Sequence, residues 1–368
     1  MRIGRFVAVA AVALAITRAS GGAVQSHSQG SANLAAGGSP SQGSAVTGNA
    51  TLTAVPGIKV GHFTLSERPT GCTVILAEGG ATAGVDVRGA APATRETDLL
   101  GPANLVQQVH AIVLSGGSAF SLDAASGVMR YLEEKKIGFA FGSAHVPIVP
   151  GASLFDLAVG DPQIRPTADC GYRAAGFATA APVTDGSVGA GAGATLGKMA
   201  GLNRAMKGGV GSAAIELSDG LIVAALAAVN AAGDVVDPAS GRIVAGARTP
   251  DGTGFADARV LLRTSPPRAR PGENTTLGVV ATNARLTKTQ AMRVAQMAHD
   301  GLARAVYPSH TSNDGDTIFA LATGAREGDA DLSRIGALAA DVMALAIVRA
   351  AKEAIGVPGF PAVRDLNR

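Results

Sequence analysis

Glu273-Asn274-Thr275-Thr276-Leu277-Gly278-Val279-Val280-Ala281-Thr282-Asn283-Ala284 is the stretch whose reading decides the fold. It begins where a charged, proline-bearing loop (Pro266, Pro267, Arg268, Arg270, Pro271) gives way to an apolar run suited to a buried strand. A threonine therefore opens a core strand directly after a loop. A hydroxyl is a weak nucleophile until a base sits beside it, and one solution is to cut the chain so that a Thr carries its own free α-amine. Such an amine titrates near pH ~7.7 to 8.0, so a useful fraction is basic at neutral pH. Asn274-Thr275 is a candidate self-cleavage point on this reading. Thr is also ordinary at a strand start and Asn is ordinary turn chemistry, so the residues alone leave both readings open.

Working outward, Ala298-His299-Asp300-Gly301 and Asp314-Gly315-Asp316-Thr317-Ile318-Phe319-Ala320 follow the opening stretch. Together with it they resemble the DmpA-like self-processing aminopeptidases, the L-aminopeptidase D-esterase/amidases and β-peptidyl aminopeptidases. The Asn-Thr junction resembles the threonine branch, which includes the pantetheine hydrolase of thienamycin biosynthesis. The resemblance runs from about residue 56 to residue 324. It implies that Thr275 is the nucleophile, that Asn230 binds the oxyanion, and that Asp316 holds the amine or hydroxyl. Asp314 stands where serine-type relatives carry a Ser, and the resemblance implies it as a further catalytic residue. Two departures stand out: Ser121 replaces a usual Gly, and the 146–156 segment lacks the Tyr that helps serine-type relatives bind the oxyanion.

Composition bounds the remaining classes. With 368 residues and 47% hydrophobic content the chain can bury a substantial core, and a globular protein is expected. Glycine is abundant at 49 residues while there is no Trp and only three Tyr, which favours tight backbone packing over an aromatic surface for stacking bases. The net charge of +3 comes from scattered residues with no Lys/Arg block, so no nucleic-acid partner is expected. The six His are dispersed, and no HExxH or CxxC is present; neither a metal nor a cofactor is expected. Cys72 and Cys170 could pair in an oxidising compartment or remain buried thiols.

The N-terminus reads as a secretory signal. Arg2 and Arg5 precede an apolar run over residues 6–16, which is too short to span a bilayer, and small residues follow to Ala23. The expected organisation is a signal peptide (1–23), a disordered Ser/Gly/Gln-rich linker (24–50) and one self-cleaving domain (51–368) split into fragments of about 51–274 and 275–368. A periplasmic or secreted protein with no membrane span after signal removal follows.

Within the domain, folding is expected to begin at Pro56. Strands are predicted over Cys72-Thr73-Val74-Ile75-Leu76 and Gly84-Val85-Asp86-Val87, separated at Glu78-Gly79-Gly80, with His62 as a polar strand-end residue. The apolar strand ending at Leu114 runs through Ser115-Gly116-Gly117-Ser118 into a helix with Phe120, Ala124, Val128 and Leu132 on one face. A second glycine block, from Gly186 to Lys198, is read both as dense packing against the nucleophile strand and as a substrate-lining loop. Ala213 to Leu217 and Leu221 to Leu226 read as a hairpin extending to Asn230, which on local grounds is a turn cap and by resemblance the oxyanion residue. Residues 237–271 read as an exposed loop. Thr287 and Gln290 have capping-box spacing, His299 is placed on a helix surface, and Ser333 is predicted to cap the last helix.

Mixed elements without long βαβ alternation predict an α+β fold. The resemblance implies a four-layer α/β/β/α sandwich of the DmpA/ornithine acetyltransferase type. The expected activity is hydrolysis of small peptide, amide or ester substrates through an acyl-enzyme, by a homo-oligomer of cleaved heterodimers. The alternatives are a pantetheine-type amidase, an ornithine-acetyltransferase-like acyltransferase and, outside catalysis, a secreted binding protein.

Overall fold

A computed structural model describes residues 49–264 and 274–366. The predicted signal peptide, most of the predicted linker and the 265–273 segment before the candidate junction lie outside the described residues.

Nine strands form the main sheet system: β1 (Lys59–Thr64), β2 (Gly71–Val87), β3 (Thr94–Arg95), β4 (Val109–Ser115), β5 (Gly151–Ser153), β6 (Gly209–Glu216), β7 (Ile222–Asn230), β8 (Thr275–Thr282) and β9 (Thr317–Ala322). Their order is β6-β7-β8-β9-β2-β4-β5-β3, with β1 also paired to β2. Four main helices pack on them: α1 (Ala124–Glu134), α2 (Ala168–Gly176), α3 (Lys288–Ala305) and α4 (Leu332–Glu353).

β2 belongs to two sheets. Its first half pairs with β1 and β4, and its second half pairs with β9, with a register break between Leu76 and Ala81. The segment predicted as two strands is thus one strand that bends at Gly80, whose φ of 82° suits the irregularity.

Alternation then generates the layers. In β7, Val223, Ala225, Ala227 and Val229 face a core shared with α3 and α4, while Ala224, Leu226 and Ala228 face the other sheet. On β2 and β4, Ile75, Ile112 and Leu114 point into that same inter-sheet core, whereas Val74, Leu76 and Val113 point outward to α1 and α2. Three separate cores therefore separate four layers: helices, sheet, sheet, helices. Strands covered on both faces lose the apolar-polar alternation, which is why β7 and β8 read as continuous apolar runs. Small residues let the layers close up. A Cβ on Gly301 of α3 would stand 2.0 Å from the Ala340 carbonyl of α4, so these helices meet backbone to backbone.

The fold is the predicted four-layer sandwich, with some local differences. Ordered structure begins before Pro56, because Leu52 and Val55 are buried in the inter-sheet core. Ser118–Asp123 is a 3₁₀ helix that leaves Phe120 exposed, while Ala124, Val128 and Leu132 are buried as expected. Residues 237–264 include a short strand, Ile243–Ala245, and a helix, Ala258–Thr264, in place of an open loop. The Thr287/Gln290 capping box is present on α3. α4 is capped by Asp331 instead of Ser333, because the Asp331 carboxylate accepts the Arg334 N–H at 3.0 Å. Cys72 of β2 and Cys170 of α2 form a disulfide with Cα atoms 6.0 Å apart, tying an outer helix to its sheet.

Candidate functional site

Three strand ends converge at Thr275. β7 runs antiparallel to β8, and their register sets Asn230 directly opposite Thr275. β9 runs parallel to β8 on its other side, with α3 in the connection, so both strands begin at the same edge. The loop entering β9 thereby delivers Asp314, Gly315 and Asp316 to the start of β8, where Asn274 bridges to Asp314. The candidate residues Asn230, Asn274, Thr275, Asp314 and Asp316 are all buried here. Residues up to 86 positions apart in sequence are neighbours only through strand pairing.

The Thr275 hydroxyl donates to the carbonyl oxygen of Asn274. The same oxygen accepts the Gly315 N–H at 2.9 Å. Two donors on one carbonyl draw electron density toward its oxygen and leave its carbon more electrophilic. The Asn274 carboxamide is itself buried, and neither of its polar atoms finds a partner among the described residues.

Asn230 is gripped from several directions. Its Nδ2 donates to the Phe155 carbonyl at 2.8 Å, and its Oδ1 accepts the Thr195 N–H at 2.9 Å and the Lys198 ammonium at 3.0 Å. Lys198 also donates to the Asn230 backbone carbonyl at 3.0 Å. The partners come from the glycine block and from the segment before Asp156, so both stretches serve as walls of the site. Two further buried cations hold those walls. Arg68 donates to the carbonyls of Val159 and Ile164 and forms a buried ion pair with Asp156 at 2.5 Å. Lys207 donates to the carbonyls of Gly191, Ala194 and Gly208 at 2.7 to 2.9 Å, while burial pushes its ammonium down to about 7.

The two carboxylates are held differently. Asp316 Oδ1 accepts the Thr276 N–H at 2.7 Å, and Oδ2 accepts from His310. Asp314 Oδ2 accepts the Thr311 N–H at 2.8 Å and the Thr311 hydroxyl at 2.6 Å. Burial raises the Asp314 carboxyl above its ordinary range, and the Asp316 charge adds to the effect. His299, predicted on a helix surface, is instead buried under the site. It bonds the Asp86 carbonyl at 3.0 Å, and burial pushes it down to about 4, so it is neutral at physiological pH.

The arrangement offers a hydroxyl, a polarised carbonyl beside it, a carboxamide opposite and a carboxylate at the strand head. These are the parts of acyl transfer to a threonine. Sequence reasoning missed Lys198 and His310. A Lys closing a glycine-rich block is ordinarily solvated, and only its burial against Asn230 distinguishes it. Among the described residues, no group of three or more His, Cys, Asp or Glu gathers as a metal site.

Residues 50–363 match the family described as peptidase family S58. The chain is 44% identical over 346 residues to an uncharacterized aminopeptidase of Mycobacterium tuberculosis, covering 86% of this chain and 97% of that protein. It is 31% identical over 312 residues to the 6-aminohexanoate-oligomer endohydrolase of Kocuria sp., covering 81% and 84%. Among solved structures, the β-aminopeptidase of Burkholderia sp. superimposes with a TM-score of 0.64 at 23% identity, over 89% of this chain and 95% of that one. The L-aminopeptidase D-Ala-esterase/amidase of Ochrobactrum anthropi, described as a variant among the Ntn hydrolase fold, gives 0.64 at 21% identity, over 89% and 94%. At these identities the two structures establish the fold.

Proposed function

Because this chain belongs to peptidase family S58, we propose that it is a self-processing threonine aminopeptidase or amidase that cuts its own Asn274–Thr275 bond and then hydrolyses small peptide, amide or ester substrates. The observation that carries this reading is the convergence of the Thr275 hydroxyl and the Gly315 N–H on the Asn274 carbonyl oxygen.

In self-cleavage the Thr275 hydroxyl oxygen adds to the Asn274 carbonyl carbon. Gly315 stabilises the resulting oxyanion, the C–N bond breaks, and the departing nitrogen takes up a proton. An ester between Asn274 and Thr275 results, and water cleaves it. Thr275 is left with a free amine, whereas before cleavage its nitrogen was an amide and no base. In turnover that amine accepts the hydroxyl proton as the oxygen attacks the substrate carbonyl. Asn230 stabilises the oxyanion, Asp316 fixes the head of the strand, and the leaving amine takes the proton back. Water activated by the same amine releases the acyl group. The role of Asp314 is to shape this loop through Thr311, with its carboxyl raised above the ordinary range by burial.

An amide substrate with a small acyl unit agrees with the aminopeptidase and 6-aminohexanoate-oligomer hydrolase names of the relatives. Export fits the Cys72–Cys170 disulfide, since such bonds persist mainly in oxidising compartments. The test is a denaturing gel with N-terminal sequencing. The purified protein should give two fragments, the smaller beginning at Thr275. Thr275→Ala should give a single inactive chain, and Thr275→Ser should keep some processing and activity. A fragment starting at another residue, or full turnover by an intact chain, refutes the reading.

A further inference from the structure

The loop entering β9 turns sharply at His310, whose φ of 53° lies in the left-handed region that few non-glycine residues enter. This backbone brings two donors of one residue onto one acceptor: the His310 N–H reaches Asp316 Oδ2 at 3.0 Å and the ring Nδ1 reaches it at 2.8 Å. An ionised carboxylate only accepts, so Nδ1 carries the hydrogen in this pair. The other carboxylate oxygen, Oδ1, takes the Thr276 N–H at 2.7 Å. Asp316 thus spans from His310 to the residue next to Thr275. Behind it, the His299 ring of α3 packs edge to face on His310 at 4.8 Å and is anchored to the Asp86 carbonyl of β2 at 3.0 Å. The imidazole is clamped between a carboxylate and a buried neutral ring.

We propose that His310 is a positioning residue for Thr275, acting through Asp316: it locks the carboxylate so that Oδ1 stays at the head of the nucleophile strand, and it draws charge away from the side that meets the liberated amine. The proposal rests on the reading of Thr275 as a processed nucleophile. Its consequence is chemical as well as geometric. A carboxylate beside an ammonium favours the ammonium, which is not a base, and donation from His310 weakens that pull. Among the described residues, the other charged or titratable groups near Asp316 are Asp314 on the same loop, His299 on α3, Asp86 on β2 behind His299, and Lys198 of the glycine block, which acts on Asp314. Among the described residues, His310 supplies the only side-chain donor to Asp316.

Two variants separate ring from backbone. His310→Gly keeps the turn and its N–H without the imidazole, while His310→Asn tolerates the same backbone and restores a side-chain donor. Processed protein is assayed with an aminoacyl p-nitroanilide from about pH 6 to 9, around the ordinary range of an α-amine. In His310→Gly the acid limb of kcat should move to higher pH by about half a unit or more. Its kcat should fall roughly 10-fold with KM changed much less, as expected of a lost positioning contact. His310→Asn should lie nearer the parent in both. A folded, processed His310→Gly with the parent's acid limb and kcat overturns the proposal. If that variant does not fold, the parent protein labelled with ¹⁵N-histidine decides. His310 ring signals that shift on acylation of Thr275 support the role, and signals that do not move overturn it. Thr275→Ala runs alongside: turnover by that variant defeats the nucleophile assignment itself, whereas an inactive Thr275→Ala with a parent-like His310→Gly defeats only the His310 role.

Discussion

A Cβ on Gly315 would stand 2.8 Å from the Thr275 hydroxyl oxygen, so the Thr275 side chain occupies the space that a side chain at position 315 would need. The Ala91 carbonyl lies 2.7 Å from the same point on another side, and the loop cannot simply move away. Gly315 is therefore required for close approach. Gly315→Ala should displace the hydroxyl from the Asn274 carbonyl and slow self-cleavage by about 10²-fold, the usual cost of misplacing a reacting group by ~1 Å. The intact-chain fraction on a denaturing gel over time measures this, and cleavage at the parent rate would contradict it.

Asn230 links the glycine block to the strand opposite Thr275, so its loss has two separable effects. Asn230→Ala should lower turnover by about 10²- to 10³-fold through loss of an oxyanion donor, with KM much less affected. It also takes a partner from the Phe155 carbonyl and the Thr195 N–H, both at 2.8 to 2.9 Å, and should destabilise the fold by about 1–3 kcal/mol. Lys198→Met should reproduce part of the kinetic loss, because the ammonium fixes the Asn230 carboxamide at 3.0 Å. Steady-state kinetics on processed protein and urea melts distinguish the two effects. Parent-like turnover in Asn230→Ala from about pH 6 to 9, where an α-amine titrates, would make Asn230 a structural residue only.

Asp234, buried at the turn after β7, accepts the N–H groups of Ala247 at 2.8 Å and Ala258 at 2.7 Å. Burial pushes its carboxyl from 3.8 up to about 6, against the pull of those two donors. Between these values the folded protein keeps a proton that the unfolded chain has released. The stabilising contribution is thus complete below 3.8 and is lost as pH rises through about 6. Relative to Asp234→Asn, the parent should lose about 3 kcal/mol across that window and then level off. Paired denaturation curves at several pH values provide the check, and a constant difference between the two proteins would show that Asp234 does not titrate there.

The Cys72–Cys170 disulfide closes a loop with a sequence separation of 98 residues and joins β2 to α2 in the outer layer. Removing it with Cys72→Ala/Cys170→Ala should reduce stability by about 2–4 kcal/mol through the gain in unfolded-state freedom. Neither cysteine contributes a hydrogen bond to the Thr275 constellation, so kcat of folded protein should stay within about twofold, as for a site remote from the chemistry. A large fall in kcat with little change in the melting midpoint would reverse this assignment.

The strands and helices were legible where the chain's own periodicity reports its environment. The run from Thr275 to Thr282 could be read as a buried strand because both of its faces are covered, and the Thr287/Gln290 box is a local interaction over three residues. β2 was misread as two strands because Glu78, Gly79 and Gly80 look like a turn, and only pairing to β4 on one half and β9 on the other makes the strand continuous. Asn230 and Asp316 were singled out by resemblance, since each taken alone is an ordinary turn residue.

The sequence by itself determined that a threonine opens a buried apolar strand and where α3 begins, because these depend on residues within one or two turns of each other. The tertiary structure alone decided that Asn230 lies across from Thr275, that Gly315 and Thr275 share the Asn274 oxygen, that Lys198 is buried against Asn230, and that the half-buried His310 meets Asp316. Those relations depend on strand register and on the parallel connection through α3. A one-residue slip in the β7–β8 pairing would turn Asn230 away from Thr275, and nothing in the local sequence of Lys198 or His310 records that register.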